Sequence, residues 1–326
     1  PDMSEHKPIE WVVNERAATI GHSAAVAELF PPGTFNQARS FHCSLPAYRP
    51  SPLKNLARLA AMIGVGGIWV KDESARLSLN SFKVLGGSFA IYRHIKARLG
   101  AEGKQLGFED LTADAVRPRL GEITFAAATD GNHGRGVAWS ATQLGYPSVI
   151  YVHKLTSQNR IAAIERNGAR VVVVDGTYDD AVRQVSEDAL KNGWQVISDT
   201  SWPGYEDIPL WVMQGYTTML AEAQEQFAAQ GILRPTHVLA QAGVGSLAAA
   251  TIGYYASIFG PDRPRTAVVE PTEAACLFRS AQIGDGLPHS VGGDLNTIMA
   301  GLACGEPNPI ASRILWGFAD VFLQCP

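Results

Sequence analysis

Three short loops in this 326-residue chain carry residues whose types and spacing could do chemistry. The first, Asn80-Ser81-Phe82-Lys83-Val84-Leu85-Gly86-Gly87, sets a lysine at the start of what the pattern predicts to be a helix. A cation there faces the positive end of the helix macrodipole, so the local rule asks for an acid in place of Lys83. The same field favours the uncharged amine, the form that attacks a carbonyl carbon and holds it as a Schiff base. Alone, the octapeptide also reads as a solvent-facing lysine on a helix start.

The second loop, Thr129-Asp130-Gly131-Asn132-His133-Gly134, follows the apolar run 123–128 and opens a helix through Arg135, Val137 and Trp139. Its glycines let successive amides converge on a carboxylate or phosphate at a helix N-terminus. Asp, Gly and Asn also dominate ordinary turns. The third loop, Gln241-Ala242-Gly243-Val244-Gly245-Ser246-Leu247, follows the run 238–240 and leads into a helix. It reads either as a phosphate cradle, with the Ser246 hydroxyl adding a donor, or as a tight turn. A dinucleotide fingerprint is not supported, because the third glycine is missing. A reactive lysine, an amide nest and a phosphate cradle together describe a site for pyridoxal phosphate and an amino acid.

The elements that must position these loops follow a doubly wound α/β pattern. Predicted strands cover 67–70, 123–128, 148–152, 170–174, 195–197, 238–240, 267–269 and 320–323. Their Val and Ile content suits sheets buried on both faces. Leu85, Phe89, Tyr92, Ile95 and Leu99 recur at helical spacing and stop at Gly100, and a second helix over 158–167 stops at Gly168. The linker 103–121 reads as an exposed crossing or a short peripheral helix. The proline-rich stretch before Asn55 is expected to wrap a surface and serve packing, not chemistry.

With 18% charged and 46% hydrophobic residues and a formal net charge of -4, the chain has the balance of a globular protein, with no basic excess to recruit nucleic acid. The uncharged stretch 238–261 contains Gln241, Ser246, Thr251, Ser257 and several glycines, which fits strand, loop and buried helix better than a membrane span. Cys43, Cys276, Cys304 and Cys325 have neither zinc nor disulfide-scaffold spacing, so a reducing cytoplasm is expected; Cys276 and Cys304 could meet in the fold, with buried free thiols as the favoured account of both. The first seven residues lack the apolar core of an export signal.

The three loops resemble those of the fold type II, tryptophan-synthase-like pyridoxal phosphate enzymes. A closer resemblance, covering the chain from about Phe41 to its end, is to the diaminopropionate ammonia-lyases. It rests on the lysine octapeptide, Ala128 to Trp139, Asp199-Thr200-Ser201-Trp202-Pro203-Gly204-Tyr205, and the run from His289 through Asp294 to Met299-Ala300-Gly301-Leu302-Ala303-Cys304-Gly305-Glu306-Pro307. The resemblance implies two doubly wound open-sheet domains with the cofactor in the cleft between them. Residues 1–87 and 196–326 would form a large cofactor-binding domain, and residues 88–195 a smaller mobile one carrying the substrate-carboxylate loop. A homodimer is implied in the same way.

By that resemblance Lys83 carries the cofactor as a Schiff base, with Phe82 beside it, Asn132 at the phenolic oxygen, and Gly243, Val244, Gly245 and Ser246 at the phosphate. Ser81, Thr129, Asp130, Gly131 and His133 would bind the amino acid substrate. Asp130 and Asp199 match two aspartates that take the α-proton from opposite faces, so that both enantiomers of 2,3-diaminopropionate yield pyruvate and two ammonia. Without the family match, Asp130 reads as a turn-former and Asp199 as a cap. Tyr178, Trp202 and Tyr205 could line the pocket or fill core.

Two departures stand out. Leu77-Ser78 occupies a place where relatives carry Phe-Gly, and no residue here can be given the hydroxyl that relatives supply to the pyridine nitrogen from beyond this chain's last residues. The rival readings are a serine or threonine dehydratase, which would not need the 199–202 segment, and a cofactor-binding but non-catalytic protein.

Overall fold

A computed structural model of the chain describes residues 8–19, 24–31, 33–100, 106–112, 116–129 and 131–326. Ten strands are present among them: β1 Glu10–Val13, β2 Leu53–Asn55, β3 Trp69–Lys71, β4 Phe125–Ala128, β5 Ser148–His153, β6 Arg170–Val174, β7 Gln195–Val196, β8 His237–Gln241, β9 Arg265–Pro271 and β10 Val321–Cys325. Counting only helices of eight residues or more, they are α1 Thr34–Cys43, α2 Lys83–Leu99, α3 Asn132–Gln143, α4 Gln158–Glu165, α5 Tyr178–Asn192, α6 Asp207–Ala228, α7 Ser246–Phe259, α8 Cys276–Ile283 and α9 Pro309–Phe318. The chain divides into two compact units, one of Pro1–Phe35, Ser198–Gln214 and Pro235–Pro326, the other of Asn36–Ile197 and Gly215–Arg234.

The second unit holds the all-parallel sheet β6-β5-β4-β7. Strand β5 shows why it is doubly wound, because alternate side chains leave opposite faces. Val149 and Tyr151 join Ala126 and, from α5, Ala181 and Val185 in one buried cluster. Between them Ile150 points the other way, where a Cβ on Gly134 of α3 would come within 2.8 Å of its Cγ2. Helix α5 is fixed at its start by a capping box between Thr177 and Asp180 and ends on left-handed Gly193.

The same unit contains a buried ion cluster. Arg76 grips Glu222 with two parallel bonds of 2.8 and 2.7 Å, and its Nε donates to Glu73 at 2.7 Å. Glu222 also accepts from Lys71 Nζ at 2.7 Å, from the Ser51 amide at 3.0 Å and from the Tyr48 hydroxyl. Burial opposes ionisation of Glu222, yet the Arg76 and Lys71 cations hold its carboxyl down at about 2.

In the first unit β8, β9 and β10 run parallel and β1 pairs antiparallel with β10. Ala240, Val268 and Phe322 lie in register and are buried, and α7 packs on β8. Leu239, Trp11 and Val13 on the alternate positions are more than half exposed.

Two sequence expectations change. The run 67–70 becomes β3 of a separate antiparallel ribbon with β2, not a strand of the parallel sheets. Its residues are half-buried or exposed, which alternation alone did not reveal. The proline-rich N-terminal stretch does more than wrap: β1 extends a sheet, and Phe41 stacks on Tyr92 at 4.1 Å in the core. The other predicted strands recur within two residues at each end, and the stretch 238–261 folds as strand, loop and helix. Among the described residues no helix is long and apolar enough to cross a membrane.

Candidate active site

Helix α2 opens at Lys83 with no acidic residue in its first turn and no side-chain cap from its N-cap residue, Phe82. Ser81, buried, accepts from the Lys83 amide with its Oγ at 3.2 Å. The Phe82 ring meets Tyr216 edge-on at 5.0 Å, and the half-buried Lys83 holds its Nζ 5.8 Å from the Phe82 centroid. The approach to the lysine is strained: Leu77, Ser78 and Asn80 all have φ between 45° and 58°. Each left-handed non-glycine residue costs about 1–2 kcal/mol, and such strain gathers at functional sites.

The second loop leaves β4 directly. Thr129 is buried and its Oγ1 accepts from the amides of Gly131, at 3.0 Å, and Gly134, at 3.2 Å, so one side chain shapes the whole turn. Asp130 lies outside the described residues. Asn132 is exposed at the first position of α3, and Gly131 supplies no side-chain cap. His133 is buried; its Nε2 donates to the Ile197 carbonyl at 2.8 Å. Its Nδ1 is buried with no hydrogen-bond partner among the described residues. Helices α2 and α3 start side by side because Gly136 has no side chain: a Cβ there would sit 2.9 Å from the Val84 Cα and 3.2 Å from the Lys83 carbonyl carbon.

In the other unit, β8 runs into the glycine loop. Gly245 has φ +101°, and a Cβ on it would lie 3.0 Å from Leu315 and 3.2 Å from Leu277. It is the N-cap of α7 and gives that fourteen-residue helix no side-chain cap. The loop is tied to the Asp199 segment. Ser246 Oγ donates to the Asp199 carbonyl at 2.7 Å and accepts from Asn308 Nδ2 at 2.8 Å, so the hydroxyl proton serves Asp199. Asn308 Nδ2 reaches the same carbonyl at 3.1 Å, and Asn308 Oδ1 accepts from Ser201 Oγ at 2.6 Å. Further along, the Ser198 amide donates to Tyr205 Oη at 2.9 Å, and Trp202 stacks on Tyr205 at 4.1 Å. Burial pushes the Tyr205 hydroxyl up.

The structure thus brings Ser81, Phe82 and Lys83 together with Thr129, Gly131 and His133 in one unit, and Asp199 together with Val244 and Ser246 in the other. Asn308 gave no sequence warning beyond standing before Pro309, the usual pair at a helix start. Cys276, buried, donates its thiol to the Gly243 carbonyl at 3.7 Å, and no disulfide is formed among the described residues.

Pyridoxal phosphate is a fair test of these parts. Its phosphate asks for an uncapped helix N-terminus behind glycines, which Gly245 and Ser246 provide. Its aldehyde asks for a lysine, and the buried, orphaned His133 Nδ1 sits one residue from Asn132 as an acceptor for a ligand donor. The residues present fit the group.

Comparison with known proteins agrees. Residues 45–325 match the family described as "Pyridoxal-phosphate dependent enzyme". A diaminopropionate ammonia-lyase from Salmonella typhimurium is 44% identical over 319 residues, 98% of this chain and 79% of that protein. One from Escherichia coli is 48% identical over 298 residues, 91% and 73% respectively. The crystal structure of Escherichia coli diaminopropionate ammonia-lyase in complex with D-serine superposes with a TM-score of 0.87 at 43% identity, covering 98% of this chain and 77% of that one. The chain is therefore a fold type II, pyridoxal-phosphate-dependent enzyme belonging to the diaminopropionate ammonia-lyase family.

Proposed function

We propose that the protein eliminates ammonia from 2,3-diaminopropionate, consuming one water and giving pyruvate and two ammonia, on both the D and L enantiomers. The identity of 44–48% to diaminopropionate ammonia-lyases over more than nine tenths of the chain carries this reading. Pyridoxal phosphate, when bound, supplies an electron sink conjugated to the substrate amine, which acidifies the hydrogen on C2. Lys83 is the amine that would hold the cofactor aldehyde. The amides of Gly243, Val244, Gly245 and Ser246 hold the phosphate, Asn132 meets the phenolic oxygen, and Phe82 packs beside the ring. Ser81, Thr129, Gly131 and His133 hold the substrate carboxylate and its surroundings. Asp130 and Asp199 take the C2 proton, one for each enantiomer, and a proton held nearby eases departure of the amine from C3. A homodimer in the cytoplasm is the assembly that the family resemblance supports, and sedimentation of the holoenzyme checks the dimer.

The experiment is a product assay on the protein reconstituted with pyridoxal phosphate. Pyruvate and ammonia should appear in a ratio of one to two from both diaminopropionate enantiomers, faster than from serine or threonine. Turnover of serine or threonine in preference to diaminopropionate would mark a dehydratase and overturn the reading. Asp130→Asn and Asp199→Asn should each cost about 10²–10⁴ in kcat on one enantiomer and much less on the other. Equal losses on both enantiomers would end the two-base assignment.

A further inference from the structure

We propose that Asn308 is a positioning residue that ties the phosphate loop to the Asp199 segment, so that seating the cofactor phosphate and placing Asp199 are one event. The inference rests on the function proposed above. Asn308 is fully buried, and its side chain uses both amide hydrogens and both carbonyl lone pairs. Its Oδ1 accepts from the Ile310 amide at 3.1 Å, which is ordinary capping of α9. Capping explains nothing else it does. The same Oδ1 takes the Ser201 hydroxyl at 2.6 Å, while Nδ2 splits between the Asp199 carbonyl at 3.1 Å and Ser246 Oγ at 2.8 Å. The Asn308 amide donates to the Val244 carbonyl at 2.8 Å. Three segments around sequence positions 200, 245 and 308 are thereby joined through one carboxamide.

The chemistry of the joint is directional. Nδ2 can only donate, so Ser246 Oγ accepts from it and is left to give its single proton to the Asp199 carbonyl. Pulling the loop toward a phosphate therefore moves the donor that holds the Asp199 carbonyl. A residue that caps α9 equally well but cannot donate would keep the helix and lose the coupling.

Two variants keep a capping oxygen and break the joint. Asn308→Asp preserves shape and cap and removes both donors; Asn308→Ser is an uncharged cap too short to bridge. The apoproteins are titrated with pyridoxal phosphate and with pyridoxal, which lacks the phosphate, alongside thermal midpoints and kcat for each diaminopropionate enantiomer. Both variants should weaken pyridoxal phosphate by about tenfold, leave pyridoxal within about threefold, and reduce kcat by a further tenfold or so on the enantiomer that Asp199→Asn impairs. The thermal midpoint of the Asn308→Ser apoprotein should move by only a few degrees, and that of Asn308→Asp, which buries a carboxylate, by more. Unchanged affinities and an unchanged enantiomer ratio would make Asn308 a helix cap and nothing more. An equal fall in both affinities together with a collapse of the thermal midpoint would make it a structural residue, and again overturn the inference. Failure of the wild-type apoprotein to bind pyridoxal phosphate would instead remove the functional reading, and with it this one.

Discussion

Two buried polar regions in the unit of Asn36–Ile197 and Gly215–Arg234 are finished in opposite ways. Around Arg76 and Glu222, guanidinium, carboxylates, ammonium and hydroxyl consume one another with short bonds. Around His133, one ring nitrogen is paired with the Ile197 carbonyl and the other is buried with no partner among the described residues. An unpaired buried acceptor costs about 1–3 kcal/mol, a cost that a ligand donor at that atom would remove. The helix starts repeat the contrast. Thr177 and Asn308 cap α5 and α9 with their side chains, whereas Gly131 and Gly245 leave α3 and α7 without side-chain caps. The closed regions are complete in themselves, and the open ones are where the proposed function places the phosphate and the substrate.

That contrast is broken most sharply at Lys83. Lys83→Ala should abolish the visible absorption of bound cofactor and lower turnover roughly ten-thousandfold, with the thermal midpoint of the apoprotein shifted little. A yellow, active variant would remove Lys83 from the open region. In the closed region the expectation reverses. Glu222→Gln leaves Arg76 buried beside a neutral partner and should cost about 3–5 kcal/mol in urea unfolding, without changing the cofactor affinity of the molecules that fold.

His42 sharpens the same point through pH. It is fully buried, with Nδ1 2.6 Å from Thr218 Oγ1 and Nε2 3.0 Å from the Leu85 carbonyl, and burial, aided by the Arg76 charge, pushes its pKa down to about 3. The unfolded chain takes the proton first, so this contribution is complete above pH 6.5 and is lost as the pH falls toward 3. Between pH 7 and pH 4 the wild type should lose on the order of 3 kcal/mol more stability than His42→Asn. Parallel acid profiles for the two would show that His42 does not titrate as a closed group.

Smaller effects compare the helix starts directly. Gly245→Ala adds a Cβ at φ +101° against Leu315 and should weaken cofactor binding as well as cost about 1–3 kcal/mol. Thr177→Ala should cost about 1 kcal/mol and leave cofactor affinity alone. The least effect is expected at Ser78, where Ser78→Gly relieves a left-handed serine and should stabilise by about 1 kcal/mol in the same unfolding measurement.

Much of this was legible in the chain. Of the stripe Leu85, Phe89, Tyr92, Ile95 and Leu99, the first four are buried and Leu99 at the helix end is half-buried, and α2 stops at Gly100. The glycine loops do follow β4 and β8 and open helices. The Lys83 loop breaks that pattern, since the strand before it, β3, belongs to a two-stranded ribbon. Strand β1 was missed because four residues at a sheet edge carry too little periodicity, and their place depends on the open side of β10.

The sequence by itself determined the local grammar of the protein: which segments wind, where glycines permit tight turns, and which residue types stand at each helix start. Only tertiary structure decided the partners. His133 meets a carbonyl 64 residues away, Ser201 meets Asn308 across 107, and Arg76 meets Glu222 across 146. Periodicity reports contacts within a few turns, because those repeat along the chain; pairings across such distances are set by how the packed elements come to rest, and leave no spacing to read.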